Sequence, residues 1–189
     1  MSDNILQTVQ ENLGYPALQK IDPNTQQMVI DSSTPDEDRF SQAALPAVLT
    51  ALHNYGQTNE GAEAILNNDP ATGWSALIFS DNKKGVIDEI AAYAGCTKEK
   101  AVNGINAIAR EAILVIRERV SADGSVTDVK NILSGSLNDI LLYLPASMQI
   151  GKLLHDNSLD DATHKMEGPA SSLIQAIGRV FSTPQSEEK

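Results

Sequence analysis

Residues 81–120 read DNKKGVIDEIAAYAGCTKEKAVNGINAIAREAILVIRERV, and the period of their apolar side chains decides the fold. Val86, Ile87, Ile90 and Ala94 recur every three to four positions, which is one face of an α-helix. Gly95 stands where a helix C-terminus takes up positive φ. Thr97 then supplies the oxygen that caps the next helix. That helix carries Val102, Ile105, Ile108, Ala109, Ala112, Ile116 and Val120. Its AILVI run (112–116) is apolar on every side, so the reading expects burial all round and makes 98–120 the central helix.

Working outward from this pair, the same period recurs. Residues 2–13 form a helix with Ile5, Leu6, Val9 and Leu13 on one stripe and Gly14 as its stop. Thr34-Pro35-Asp36-Glu37 has the pattern of a cap, a proline at the first helical position and a glutamate three residues after the cap. Phe40, Ala43, Ala44, Val48 and Leu52 follow at helical spacing, with Pro46 deep inside and expected to kink the helix. Thr58 caps a third helix through Ala62, Ile65 and Leu66, ended by NNDP (67–70). The short apolar TGWSALIF (72–79) is taken as helical, since no strand candidate exists to pair with it. Ser125 and Asp128 make a capping box. Leu137, Ile140, Leu141, Leu144 and Met148 then run towards Leu154, interrupted at Pro145. A last helix from Pro169 carries Leu173, Ile174, Ile177, Val180 and Phe181.

The totals agree with helices packed on helices. Of the 189 residues 41% are hydrophobic but only 4% aromatic, so the core is aliphatic. Cys96 is the single cysteine and has no intramolecular disulfide partner. MSDNILQTVQENL is amphipathic and acidic, unlike a basic-then-apolar leader, and no apolar run approaches the roughly 20 residues that span a bilayer. A soluble, cytoplasmic chain is expected. Net charge is −11, and residues 1–70 hold ten acidic side chains against two basic ones. Such a balance disfavours sequence-independent nucleic-acid binding, which draws its affinity from Lys and Arg on phosphates.

Chemistry-bearing residues are few. HDNSLDDATHKMEG (155–168) holds two of the three histidines. His155, Asp161 and His164 are the candidate metal ligands, Asp161 and His164 standing three apart on one face of a helix begun near Ser158. The stretch lacks His-Glu-x-x-His, and DNSLDD lacks the sixth-position glycine of a calcium loop. Helix electrostatics accounts for the same residues without a metal: Asp160 and Asp161 favour a positive N-terminus, His164 and Lys165 a negative end. It is read as a connector, and no cofactor is assigned. His53 stands alone near a helix end, and Cys96 has no resolving partner. IDEIAAYAGCTKEKAVNGINAI has the look of a DNA-reading helix-turn-helix, with Lys98, Lys100, Asn103 and Asn106 as its polar contacts. A helical hairpin with glycine at the corner gives the same pattern for packing reasons.

ALPAVLTALHNYGQTNEGAEAIL (44–66) followed by VIDEIAAYAGCTKEKAVNGINAI (86–108) resembles a bacterial domain family of unknown function that includes the YidB-like proteins. The likeness covers roughly residues 40–120. Where that family often holds a Leu-Pro pair, this chain has Arg110-Glu111. The resemblance implies an all-helical bacterial domain and brings no catalytic residues with it.

The reading is therefore an all-α, irregular bundle of about seven to nine helices. It expects one domain over 1–182, divisible between 122 and 123, and a disordered tail at 183–189. The function expected is a non-enzymatic module that binds another protein or itself through a groove made by helices bent at Pro46 and Pro145. The alternatives are a metal-dependent or acid–base enzyme at His155 and His164, and nucleic-acid binding through Lys98 and Lys100.

Overall fold

Side-chain caps set several of the helix starts and stops. The computed structural model describes residues 4–21, 34–120 and 124–145. In α1 (Ile5–Asn12) the Asn4 side chain accepts from Leu6 N–H, and Gly14 closes the helix at φ 68°. α2 (Asp36–Gly56) is followed by α3 (Asn59–Asn67), whose first turn is capped by Thr58 Oγ1 accepting from Gly61 N–H at 2.9 Å. α4 (Trp74–Phe79) leads through a 3-10 turn at Ser80–Asn82 into α5 (Lys83–Ala94), which ends at Gly95 with φ 67°. α6 (Lys98–Arg119) starts under the Thr97 hydroxyl, and α7 (Val126–Leu141) starts at the Ser125–Asp128 capping box. The described residues contain no strand. The segments read from the sequence beyond residue 145, including the helix from Pro169 and the tail, lie outside the described residues, as does the boundary between 122 and 123.

Two local expectations are corrected. The N-cap position of α2 is Pro35, with no side-chain cap; Asp36, Glu37 and Asp38 in its first turn face the positive end of the helix instead. α7 runs unbroken through Gly135 and ends at Leu141, so Pro145 falls beyond its last turn.

The larger correction concerns the centre. Every residue of α2 from Phe40 to Leu52 is buried, Pro46 included, whereas α6 buries a stripe and leaves Asn103, Arg110, Leu114 and Glu118 in solvent. Leu114 is 38% exposed in the middle of the AILVI run. α2 is the enveloped helix, and α6 is amphipathic. Small side chains explain the difference: Ala43, Ala44, Ala47 and Ala51 let the backbones of neighbouring helices approach α2 from several sides.

The close approaches are specific. A Cβ on Gly104 of α6 would lie 2.3 Å from Phe40 Cζ, so the glycine is what seats this ring between α2 and α6. A Cβ on Gly61 would lie 1.9 Å from the Tyr55 carbonyl oxygen, where backbone meets backbone at the α2–α3 corner. Trp74 is wholly buried and meets Tyr55 edge-on at 6.4 Å.

Four of the buried side chains among the described residues are polar, Ser41, Gln42, Thr50 and Ser75, and Gln42 makes the longest-range contacts. Gln42 is 4% exposed, and its carboxamide is the hub of three hydrogen bonds. Its Oε1 accepts from Gln19 N–H at 2.8 Å, while Nε2 donates to the carbonyls of Gln19 at 3.0 Å and Tyr143 at 2.8 Å. The irregular segment 15–21 is thereby held against α2 and against the end of α7, where Ile21 N–H also donates to Leu142 O at 2.9 Å. Long-range ties of this kind also close the other end. Arg117 of α6 donates from Nε to Ile65 O at 2.7 Å and from Nη2 to Asn68 O, satisfying carbonyls at the end of α3.

Two substitutions test these points by denaturant unfolding. Gly104→Ala is expected to cost about 1–3 kcal/mol, because the ring of Phe40 must leave its seat. Gln42→Leu strands a backbone N–H and two carbonyls at a largely dry junction and is expected to cost about 2 kcal/mol or more. A variant as stable as the parent in either case would show that the contact is not made.

Candidate functional site

Among the described residues, α6 has one side that no other helix covers. Asn103, Ala107, Arg110 and Leu114 follow one another at spacings of three and four, so they form a single stripe along the helix. Beside it the chain from Pro70 to Gly73 arches over on its way into α4. Between the two lies an open depression of about 270 Å³, lined by Pro70, Ala71, Thr72, Gly73, Asn103, Asn106, Ala107 and Arg110.

Each wall has a local cause. Asp69 Oδ1 accepts from Ala71 N–H at 2.8 Å, an Asx-type turn that bends the loop after α3. Asn106 Oδ1 accepts from Ser75 N–H at 3.0 Å and so satisfies an orphan donor in the first turn of α4 from a neighbouring helix. With its oxygen engaged there, the Asn106 amide nitrogen is left to the depression. Arg110 is exposed, and among the described residues it makes no ion pair, unlike Arg39 and Lys98.

The sites expected from the sequence fare differently. His155, Asp161 and His164 lie outside the described residues. His53 is half-buried in the last turn of α2, its Nδ1 3.1 Å from Asn54 Oδ1. Cys96 is half-buried in the α5–α6 turn. Among the described residues no group of three or more His, Cys, Asp or Glu is placed to hold a metal. Pro46 is buried within α2, and the residues that follow Pro145 lie outside the described residues.

One of the two lysines of the helix-turn-helix reading, Lys98, is ion-paired yet remains exposed. Lys98 Nζ lies 2.6 Å from Asp88 Oδ1 across the α5–α6 turn, with Lys84 Nζ 3.8 Å from the same carboxylate's other oxygen. The hydrogen bond from Lys98 is the main reason the Asp88 carboxyl is held below its usual range; partial burial opposes the shift, and the charges of Lys98 and Lys84 add to it. The Asn106 side-chain oxygen is engaged by the start of α4, and Asn103 lines the depression. Arg110 and the 70–73 wall were not singled out by sequence reasoning. The available signal was the turn-forming NNDPATG (67–73).

No helix among the described residues is long and apolar enough to cross a membrane. Comparison with known proteins finds no matching family model, no matching curated protein and no matching solved structure. What the described residues define is an all-helical bundle around the enclosed part of α2.

The Asp88 pair makes a pH prediction. A carboxyl whose folded pKa is depressed stabilises the fold above its unfolded value of about 4, and that contribution is lost as the pH falls through the lower folded value. Asp88→Asn is therefore expected to flatten the loss of stability below about pH 4. Thermal melts of the two proteins between neutral and acid pH check this; superimposable pH profiles would contradict it.

Proposed function

We propose that this chain is a non-enzymatic binding module that works by contact with another protein or with a second copy of itself. The observation that supports this reading is Leu114, 38% exposed on a helix of 22 residues whose opposite side is locked into the core. A rigid helix that presents a leucine beside an open depression is suited to receive an apolar side chain from a partner. The likeness of residues 40–120 to the YidB-like domains belongs to the same proposal and is carried by sequence alone.

Charge sets the conditions for the test. Copies carrying −11 each repel one another, and the repulsion weakens as salt shortens the screening length from about 10 Å in 0.1 M to about 3 Å in 1 M. Self-association is expected to rise with salt in light scattering at two protein concentrations, and Leu114→Asp is expected to abolish it. If the partner is a different protein, a photo-crosslinking residue in place of Leu114 is expected to give a discrete adduct in cells. A chain that is monomeric in every condition and gives no adduct at this position would remove the proposal.

A further inference from the structure

The depression beside Leu114 has a chemistry of its own. Its donors are the Arg110 guanidinium and the side-chain amides of Asn103 and Asn106, and its apolar walls are Pro70, Ala71 and Ala107. The neighbouring carboxylate of Asp69 is engaged by Ala71 N–H, within its own turn. Arg110 is thus a cation without a carboxylate among the described residues, on a chain whose net charge is −11.

We infer that this depression is a subsite for an aliphatic monocarboxylate, held by Arg110 and the two asparagines. A planar guanidinium presents paired N–H donors that match the two oxygens of a carboxylate. The Asn106 amide group, fixed by the bond from Ser75 to its oxygen, adds a donor that needs no rearrangement. A single cation balances one negative charge, and the chain's net charge of −11 works against a dianion such as phosphate. At about 270 Å³ the space falls just below the roughly 300–1,000 Å³ that houses drug-sized ligands, so the occupant is small. Pro70, Ala71 and Ala107 favour an aliphatic group next to the carboxylate. Two sources have this chemistry: a free short-chain acid and the C-terminal residue of a peptide.

The inference deepens the reading of this α6 face as a binding surface, and its test separates the two. Heteronuclear NMR on the full chain follows the amides of Gly73, Asn103 and Ala107 during titration with isovalerate, N-acetylleucine, N-acetylleucine amide and inorganic phosphate. Saturable shifts are expected with the two carboxylates. Neither the amide nor phosphate is expected to reproduce them. Tighter binding of isovalerate assigns the subsite to a free acid, and tighter binding of N-acetylleucine assigns it to a peptide end; both uphold the inference. Arg110→Gln, a change at an exposed position, is expected to weaken binding about tenfold or more, with Arg110→Lys intermediate. Absence of saturable shifts, equal binding of the amide, or preference for phosphate would overturn it. A chain that associates through Leu114 yet ignores every carboxylate loses this inference and keeps the reading above. One that takes the carboxylate but neither self-associates nor crosslinks does the reverse.

Discussion

The burial of α2 on all sides is the constraint from which the rest of the architecture follows. A helix with no solvent face must have every neighbour close, and alanine at 43, 44, 47 and 51 makes that approach possible. Two of the polar side chains it carries inward find partners, whereas the Thr50 hydroxyl has none among the described residues. Ser41 donates to the Asp38 carbonyl at 3.0 Å, a bond within its own helix. Gln42 pairs with backbone from far away in sequence, and the result is structural: its carboxamide holds segment 15–21 and the residues after α7 to the same point. An apolar residue would fill the space without specifying which backbone lies there.

With α2 enclosed, α6 keeps one side in solvent. Its inner stripe of Ile105, Ile108, Ala109, Ala112, Ile113 and Ile116 meets the core, and Gly104 makes room for Phe40. Its polar residues hold neighbouring elements in place: Arg117 at the end of α3, Asn106 at the start of α4, and Arg119, which donates to Thr8 Oγ1 of α1 at 2.9 Å. These bonds orient the 70–73 loop against α6. The depression and the exposed Leu114 are consequences of how the helices are assembled, and the rigidity of the surface comes from the same contacts.

Much of the local structure was legible because caps and periodicity are short-range. Thr58, Thr97 and Ser125 with Asp128 are within a turn of the donors they satisfy, and Gly95 needs only its own φ. Legibility ended where one residue had two readings. Thr34 and Glu37 have the letters of a capping box, but α2 begins one residue past Pro35 and uses no side-chain cap. AILVI has no polar residue to mark its outer side, so periodicity assigned Leu114 to the core, although the structure leaves it in solvent.

The sequence by itself determined an all-helical chain with an aliphatic core, and the places where most of its helices start and stop. These depend on hydrogen bonds and side-chain spacings spanning a few residues. Only the tertiary structure decided that α2 rather than α6 is enclosed, that Gln42 binds backbone 23 and 101 positions away, and that Asn103, Arg110 and the 70–73 loop share one depression. Such outcomes depend on which faces compete for the same limited interior. Two apolar helices of similar length are equal candidates for the centre until close packing favours the one with the smaller side chains.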